Sequence, residues 1–301
     1  MLYDVIIIGG GPAGLSAGLW LGRCKRNVII FDHGRPRNRK SEGVHGFFTR
    51  DNTHPAELIK LGREQLEPYG VPVIDAEVKS AKKLKTSFKV TLLNGDVYHA
   101  KKLLLATGVT DEVPLLKGAP EIYGKSMHHC PYCDGWEWRD KPIAVFGRAR
   151  SGFILAQRLL NWSNDVALIT HGPSKLKSDQ TKYLALHGIQ VFEQSIEELV
   201  HDDGMLTHVR FADGSSIERS AIFFTTGQHQ RSRIGMQLGC DFSKKGTFMT
   251  DKHEATSVEG VFSAGDASKD MQFVIIAAAE GTRAAISIHE ALLLEERNLK
   301  M

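Results

Sequence analysis

Two cysteines set three residues apart carry the sharpest chemical signal in the chain: Cys130–Pro131–Tyr132–Cys133, followed at once by Asp134 and Gly135. Side chains at i and i+3 share one face of a helical turn, so two thiols at this spacing can meet and close a small disulfide. A helix start beside them would stabilise a thiolate, the form that attacks a disulfide, and make the pair reactive. The same spacing is also half of a zinc site, which requires a second Cys or His pair at ligand spacing. His128 and His129 crowd directly against Cys130, while Cys24 and Cys240 stand alone. No metal is therefore expected, and Cys24 and Cys240 read as small core residues. His128 and His129 flank the pair and are candidate bases.

A second constellation opens the chain. Gly9-x-Gly11-x-x-Gly14, with Pro12 and Ala13 between the last two glycines, follows the apolar run Asp4–Ile8 and begins a helix predicted over about Pro12 to Arg23. The first glycine permits a tight turn, the second lets backbone approach a pyrophosphate, and the third packs helix on strand. The helix start supplies N–H donors to phosphate. Asp32, at the end of the next apolar run, Val28–Phe31, is placed to accept from a ribose. Strand, turn, helix and acid together point to nucleotide binding.

These residues need a scaffold, and the sequence writes one twice. Phe88–Leu93 and Val97–Ala100 are hairpin-like pieces joined by Asn94–Gly95, and Leu103–Ala106 is a strand closing on Thr107–Gly108. The pattern then restarts: a strand at Ile143–Phe146, a turn at Gly147, a helix from Gly152 to Asn161 and a strand at Val166–Ile169. A hairpin over Leu206–Phe211 and Ser216–Glu218 turns at Asp213–Gly214, and Ala221–Thr225 ends at Thr226–Gly227. Two βαβ-type units imply two dinucleotide-binding-like domains, the second a diverged copy. The tail, with a strand ending in Gly265–Asp266 and a helix opening at Gln272, returns to complete the first. At 301 residues the chain has material for both cores.

Bulk properties exclude several classes. A net charge of +3, with no nucleic-acid-binding motif, does not argue for nucleic acid. No apolar run reaches the length of a membrane span. Met1–Ile8 reads as a buried strand and not as a leader, and four cysteines are no secreted disulfide framework, so a cytoplasmic location is expected.

With Val261–Phe262–Ser263–Ala264–Gly265–Asp266, the Gln272 helix, Ala106–Thr107–Gly108 and Cys-x-x-Cys-Asp-Gly between two nucleotide-like motifs, the sequence resembles the low-molecular-weight thioredoxin reductase family along essentially its whole length. The resemblance implies an α/β fold of two Rossmann-like, three-layer ββα nucleotide-binding domains. The FAD domain is discontinuous, 1–112 and 242–301, and a central NAD(P)H-binding-like domain, 113–241, carries the cysteines. Short linkers are expected near Val113 and Gly239. It implies FAD, bound by Gly9, Gly11, Pro12, Ala13, Gly14 and Asp32, by Ala106, Thr107 and Gly108, and by Gly265, Asp266 and Gln272. In such enzymes the second cysteine, here Cys133, faces the flavin, the first, Cys130, exchanges with the partner, and the acid, Asp134, moves the thiol proton. His129, beside the pair, and His45, where the family approaches the flavin, are further catalytic candidates. Homodimerisation and a thioredoxin-like protein or small dithiol/disulfide as partner follow from the same resemblance.

The chain departs from that family in two places. Pro36–Arg37–Asn38 … His45–Gly46 … Thr49–Arg50–Asp51 looks more like the branch of dithiol oxidases acting on disulfide natural products, although those commonly carry His where this chain has Asp134. Nearby, the cations Arg35, Arg37, Arg39 and Lys40 read either as contacts to FAD phosphates or as a solvated loop. In the second nucleotide unit, the family's GGGxxA turn is replaced by Gly147–Arg148–Ala149–Arg150–Ser151–Gly152, where either Arg148 and Ala149 crowd the phosphate position or Arg148 and Arg150 bind phosphate by charge. Its His-Arg-Arg cluster for the 2′-phosphate is replaced by Thr170–His171–Gly172–Pro173, with only Lys175 and Lys177 nearby as cations. NADPH use is therefore doubtful, and a ferredoxin-type donor, a dithiol, or O₂ as acceptor is the expected alternative. The conventional NADPH-dependent reductase and, from another class, a flavin-based redox sensor are the rival readings.

Overall fold

The computed structural model describes residues 1–268 and 271–297. The chain divides into two compact units, one formed by 1–39, 46–110 and the stretch from Gln228 onward, the other by 40–45 and 111–227.

The strands of the first unit are β1 Leu2–Ile8, β2 Val28–Asp32, β3 Val73–Asp75, β4 Val78–Lys83, β5 Phe88–Leu92 and β6 Val97–Leu105. They lie in the order β3-β2-β1-β6-β5-β4, and Val261–Ser263 pairs with the far half of β6. β1 runs parallel to both neighbours, with Ile7 opposite Ile30 and Leu104. Such central strands are covered on both faces, which is why β1 is an unbroken apolar run. Val5 and Ile7 pack with Leu15 and Ala17 of α1, Pro12–Arg23, and with Ala284 and Ile288 of the helix Val274–Glu296. Ile6 and Ile8 face the opposite way and pack with Phe88, Val90 and Leu92 of β5. The result is three layers: helices, parallel sheet and antiparallel meander.

The second unit repeats the plan. Strands β7 Ile143–Phe146, β8 Val166–Ile169, β9 Gln190–Phe192 and β10 Ala221–Phe224 form a parallel sheet in the order β9-β8-β7-β10. A two-residue strand, Met127–His128, adds to the β10 edge. Helix α2, Ala149–Leu159, covers one face, where Leu155 and Leu159 meet Val145 and Leu168. An antiparallel trio, Ile196–Asp202, Met205–Phe211 and Ser216–Glu218, covers the other, where Leu199 and Val209 meet Ala144 and Ile222.

Several boundaries differ from the sequence reading. The chain rejoins the first unit at Gln228, not near residue 242, because buried Ile234 and Cys240 pack with Ala81 and Phe88 of the meander. Residues 40–45 belong to the second unit, although their sequence neighbours on both sides belong to the first. The pieces read as Val97–Ala100 and Leu103–Ala106 are one strand, β6, long enough to pair β5 with its first half and Val261–Ser263 with its second. Helix α2 starts at Ala149 and not at Gly152. Gln272 does not open the last helix; Phe273 caps it and Gln272 precedes it.

Candidate active site

The first glycine motif forms the junction of β1 with α1. Gly9 holds φ +112°, and a Cβ there would lie 2.2 Å from the Ala106 carbonyl oxygen. A Cβ on Gly14 would lie 1.9 Å from the Gly9 carbonyl oxygen. Gly11, which caps α1, is the contrast: apart from its own chain neighbours, no atom of the described residues lies within 4 Å of the position its Cβ would take. Gly9 and Gly14 are thus required by the protein's own packing, while the space at Gly11 stands open at a helix start suited to phosphate. Thr107 Oγ1 is buried and has no hydrogen-bond partner among the described residues. Asp32, at the end of β2, accepts from Arg63 Nη2 at 3.2 Å. The same guanidinium donates to Asp75 at 2.7 Å, and that hydrogen bond holds the Asp75 carboxyl below the usual carboxylate range.

The far end of the chain closes on this junction. Gly265 N donates to the carboxylate of Glu280, buried on the last helix, at 2.8 Å. Arg37 Nη1 donates to Asp266 Oδ2 at 2.8 Å and to Gln272 Oε1 at 2.6 Å. Arg37, one of the cations left open between phosphate contact and solvated loop, therefore joins its loop to the Gly–Asp turn. The open position at Gly11, the helix start and the orphaned Thr107 hydroxyl fit a dinucleotide such as FAD. Arg63 and Glu280 were not singled out for this site, since no local motif marks either of them.

Gly281 carries a prediction. A Cβ there would lie 2.0 Å from the Ala13 carbonyl oxygen and 2.9 Å from the Ala13 Cα, so the last helix and α1 cannot keep their spacing. Gly281→Ala should cost roughly 1–3 kcal/mol of stability, as overpacking of a well-filled contact does. It should also lower flavin retention, because Ala13 lies in the first turn of α1. Urea unfolding and the flavin-to-protein absorbance ratio after gel filtration check both.

In the second unit, Cys130 and Cys133 form a disulfide with Cα atoms 5.3 Å apart. Cys130 caps the single turn Pro131–Asp134, its Sγ accepting from Cys133 N at 3.2 Å. Both cysteines and Asp134 are half-buried. The edge strand Met127–His128 determines which histidine serves the turn. Phe223 of β10 pairs with His128, which is 7 % exposed. His128 Nδ1 lies 3.3 Å from Asp134 Oδ1, and Trp138 Nε1 donates to His128 Nε2 at 3.0 Å. His129, singled out from the sequence, packs edge-on against Phe224, its ring centroid 6.0 Å away. His45 lies in the segment that belongs to the second unit, its Nε2 3.6 Å from Glu137 Oε1 on the turn after Gly135.

The second glycine turn is built differently from the first. The Arg148 guanidinium donates to the carbonyls of Thr170 and His171, beyond the end of β8. Ala149 N, at the start of α2, donates to Ser174 O at 2.8 Å, and Ala149 holds φ +48°. A left-handed conformation costs a non-glycine residue roughly 1–2 kcal/mol. Glu193 accepts from Ser174 N at 2.8 Å, which holds its carboxyl below the usual carboxylate range.

Among the described residues no helix is long and apolar enough to cross a membrane, and no three His, Cys, Asp or Glu side chains are grouped to hold a metal ion.

Comparisons with known proteins agree with this architecture. The pyridine nucleotide-disulphide oxidoreductase family profile matches residues 3–281. Thioredoxin reductase tcpT of Claviceps purpurea is 31 % identical over 277 residues, covering 88 % of this chain and 86 % of its own. The crystal structure of TrxB from Bacillus anthracis superposes with a TM-score of 0.93 at 34 % identity, over 98 % of this chain and 99 % of that one. An oxidoreductase from Agrobacterium tumefaciens gives a TM-score of 0.91 at 34 % identity, over 98 % and 99 %. The chain belongs to the pyridine nucleotide-disulphide oxidoreductase family, in its thioredoxin reductase-like branch, and is an FAD-dependent disulfide oxidoreductase.

Proposed function

We propose that the protein exchanges two electrons between FAD, the Cys130–Cys133 pair and an external dithiol or disulfide, without drawing them from NADPH. The observation that carries this reading is the contrast between the two glycine turns. At the first, the place of a Cβ on Gly11 is open. At the second, the Arg148 guanidinium and the Ala149 amide are both bound to carbonyls of the following loop. The family's name, pyridine nucleotide-disulphide oxidoreductase, favours the second reading, a conventional NADPH-dependent reductase.

FAD would be held by the Gly9–Gly14 loop and the start of α1, by Asp32, by Ala106–Gly108 and by Gly265, Asp266 and Gln272. When bound, it supplies a two-electron acceptor or donor for the cysteine pair. The chain's own chemistry is disulfide exchange. An incoming thiolate attacks Cys130 Sγ, the Cys130–Cys133 bond breaks, and the Cys133 sulfur leaves with the electron pair. The second thiol of the substrate then gives its proton to Asp134 and attacks its partner sulfur. Cys130 is released as a thiolate and takes the proton back. The substrate leaves as a disulfide, its two electrons now on the pair; the reverse sequence reduces a disulfide.

A thioredoxin-type protein is the partner suggested by the name of the Claviceps relative. A small dithiol, with O₂ as final acceptor, or a ferredoxin-type donor fits a protein that does not use NADPH. Homodimer formation rests on the family resemblance, and a cytoplasmic location on the sparse cysteines of the sequence. The reading is tested on the purified protein, which should be yellow. Under anaerobic conditions excess dithiothreitol should bleach the flavin and reveal the thiols of Cys130 and Cys133 to maleimide. A colourless protein that cannot be reconstituted with FAD, or a flavin indifferent to dithiols, would overturn it.

A further inference from the structure

We propose that His128 is a positioning residue for disulfide exchange: with its tautomer set by Trp138, it holds the Asp134 carboxylate that moves the thiol proton. The inference rests on the redox role given above to Cys130, Cys133 and Asp134.

Two groups lie 3.0 Å from His128 Nε2, the indole nitrogen of Trp138 and the carbonyl oxygen of Lys125. An indole N–H only donates and a carbonyl only accepts, so a neutral imidazole satisfies one of them at Nε2. Trp138 is 5 % exposed, and its indole nitrogen, a donor only, hydrogen-bonds to His128 Nε2. Leaving a buried indole N–H unpaired costs more than leaving a carbonyl oxygen one hydrogen bond short. Nε2 therefore accepts from Trp138, and the ring hydrogen sits on Nδ1, which faces Asp134 Oδ1 at 3.3 Å. Contacts with Trp138 and Phe223, at centroid distances of 6.0 and 5.4 Å, fix the plane of the ring. Asp134 Oδ1 thus has the imidazole beside it, and Oδ2 would take the thiol proton. Among the described residues His128 hydrogen-bonds to neither sulfur, so it acts through Asp134.

The arrangement is sequence-specific in a way that His129 is not. The parallel pairing of Met127–His128 with Ile222–Phe223 sends His128 to the face carrying Phe223 and Trp138. The next residue, His129, lies against Phe224.

The test is the rate at which excess dithiothreitol opens the disulfide of the full-length protein, followed by quenching with maleimide and counting labelled cysteines. An asparagine amide reaches the place of Nδ1, and a glutamine amide reaches the place of Nε2. His128→Asn should stay within about fivefold of wild type, while His128→Gln and His128→Leu should slow the maximal rate about 10²-fold, the lower end for acid–base catalysis. The dithiol concentration for half-maximal rate should be little changed. In an Asp134→Asn background, His128→Leu should add no further loss, since the two residues act as one unit. The proposal is overturned if Leu and Gln variants keep the wild-type rate, if Asn is as slow as Leu, or if the Leu effect persists in full beside Asp134→Asn. If the Leu variant does not fold, the Asn–Gln comparison still decides. A wild-type disulfide that dithiothreitol leaves closed would overturn the parent reading and this one with it.

Discussion

Replacing Cys130 or Cys133 with serine stops dithiol–disulfide turnover and leaves FAD in place. The expected fall is 10³-fold or more, equivalent to about 4 kcal/mol of barrier, because a hydroxyl can neither form nor leave a mixed disulfide under these conditions. Retention of the flavin follows from the fold: Gly9–Gly14, Asp32 and Gly265–Asp266 are in one unit and the cysteines in the other. The disulfide closes a loop of sequence separation 3, so its chain-entropy contribution is no more than about 2 kcal/mol, and the variants should fold. The two variants should differ from each other. If Cys133 faces the flavin, Cys130→Ser leaves a thiolate against it and shows a long-wavelength charge-transfer band, whereas Cys133→Ser does not. Turnover with dithiothreitol and 5,5′-dithiobis(2-nitrobenzoate), together with the visible spectrum, checks each point. Full activity in either variant removes the pair from the reaction.

The parts of the site legible in the sequence are those written by local rules. The Gly9–Gly14 turn is bracketed by an apolar run and a helix start, and the two cysteines announce themselves by spacing. Asn94–Gly95 marks its hairpin, with Gly95 at φ +95°, a conformation that suits glycine. What could not be read depends on which distant segments meet. Arg37 binds Asp266 and Gln272 across more than two hundred residues, and Arg63 reaches Asp32 from a separate helix, Pro55–Glu64. The choice between His128 and His129 depends on the pairing of a two-residue edge strand, too short to leave a periodic pattern. The return at Gln228 was missed for a similar reason. Ile234 and Cys240 are ordinary apolar residues whose partners, Ala81 and Phe88, no local pattern reveals.

Micromolar NADPH should reduce the flavin at least 10²-fold more slowly than a saturating dithiol. Pyrophosphate binding at a turn of this kind needs backbone N–H groups at the helix start and room for close approach, which is why glycines stand there. Here Ala149 N is bonded to Ser174 O, and the Arg148 side chain crosses to Thr170 O and His171 O. Opening the site would break these contacts before any are made to the ligand. Arg148 could in principle turn its charge to a phosphate, but its guanidinium is already held by two carbonyl acceptors. The next loop weakens the case further. Thr170, His171 and Gly172 offer no Lys or Arg, and the Glu193 carboxylate is hydrogen-bonded to Ser174 N. A negative charge there opposes a 2′-phosphate by Coulomb repulsion. The two elements can be separated by substitution. Arg148→Gly with Ala149→Gly relieves the left-handed alanine and clears the turn, but it leaves Glu193 in place. Reduction by NADH should therefore gain more than reduction by NADPH, reversing only when Glu193→Lys is added. Anaerobic stopped-flow bleaching of the flavin by each nucleotide measures all three proteins on one scale. Fast, saturable reduction of the wild type by micromolar NADPH would show that the Arg148 contacts yield to the ligand, and that the protein is a conventional reductase.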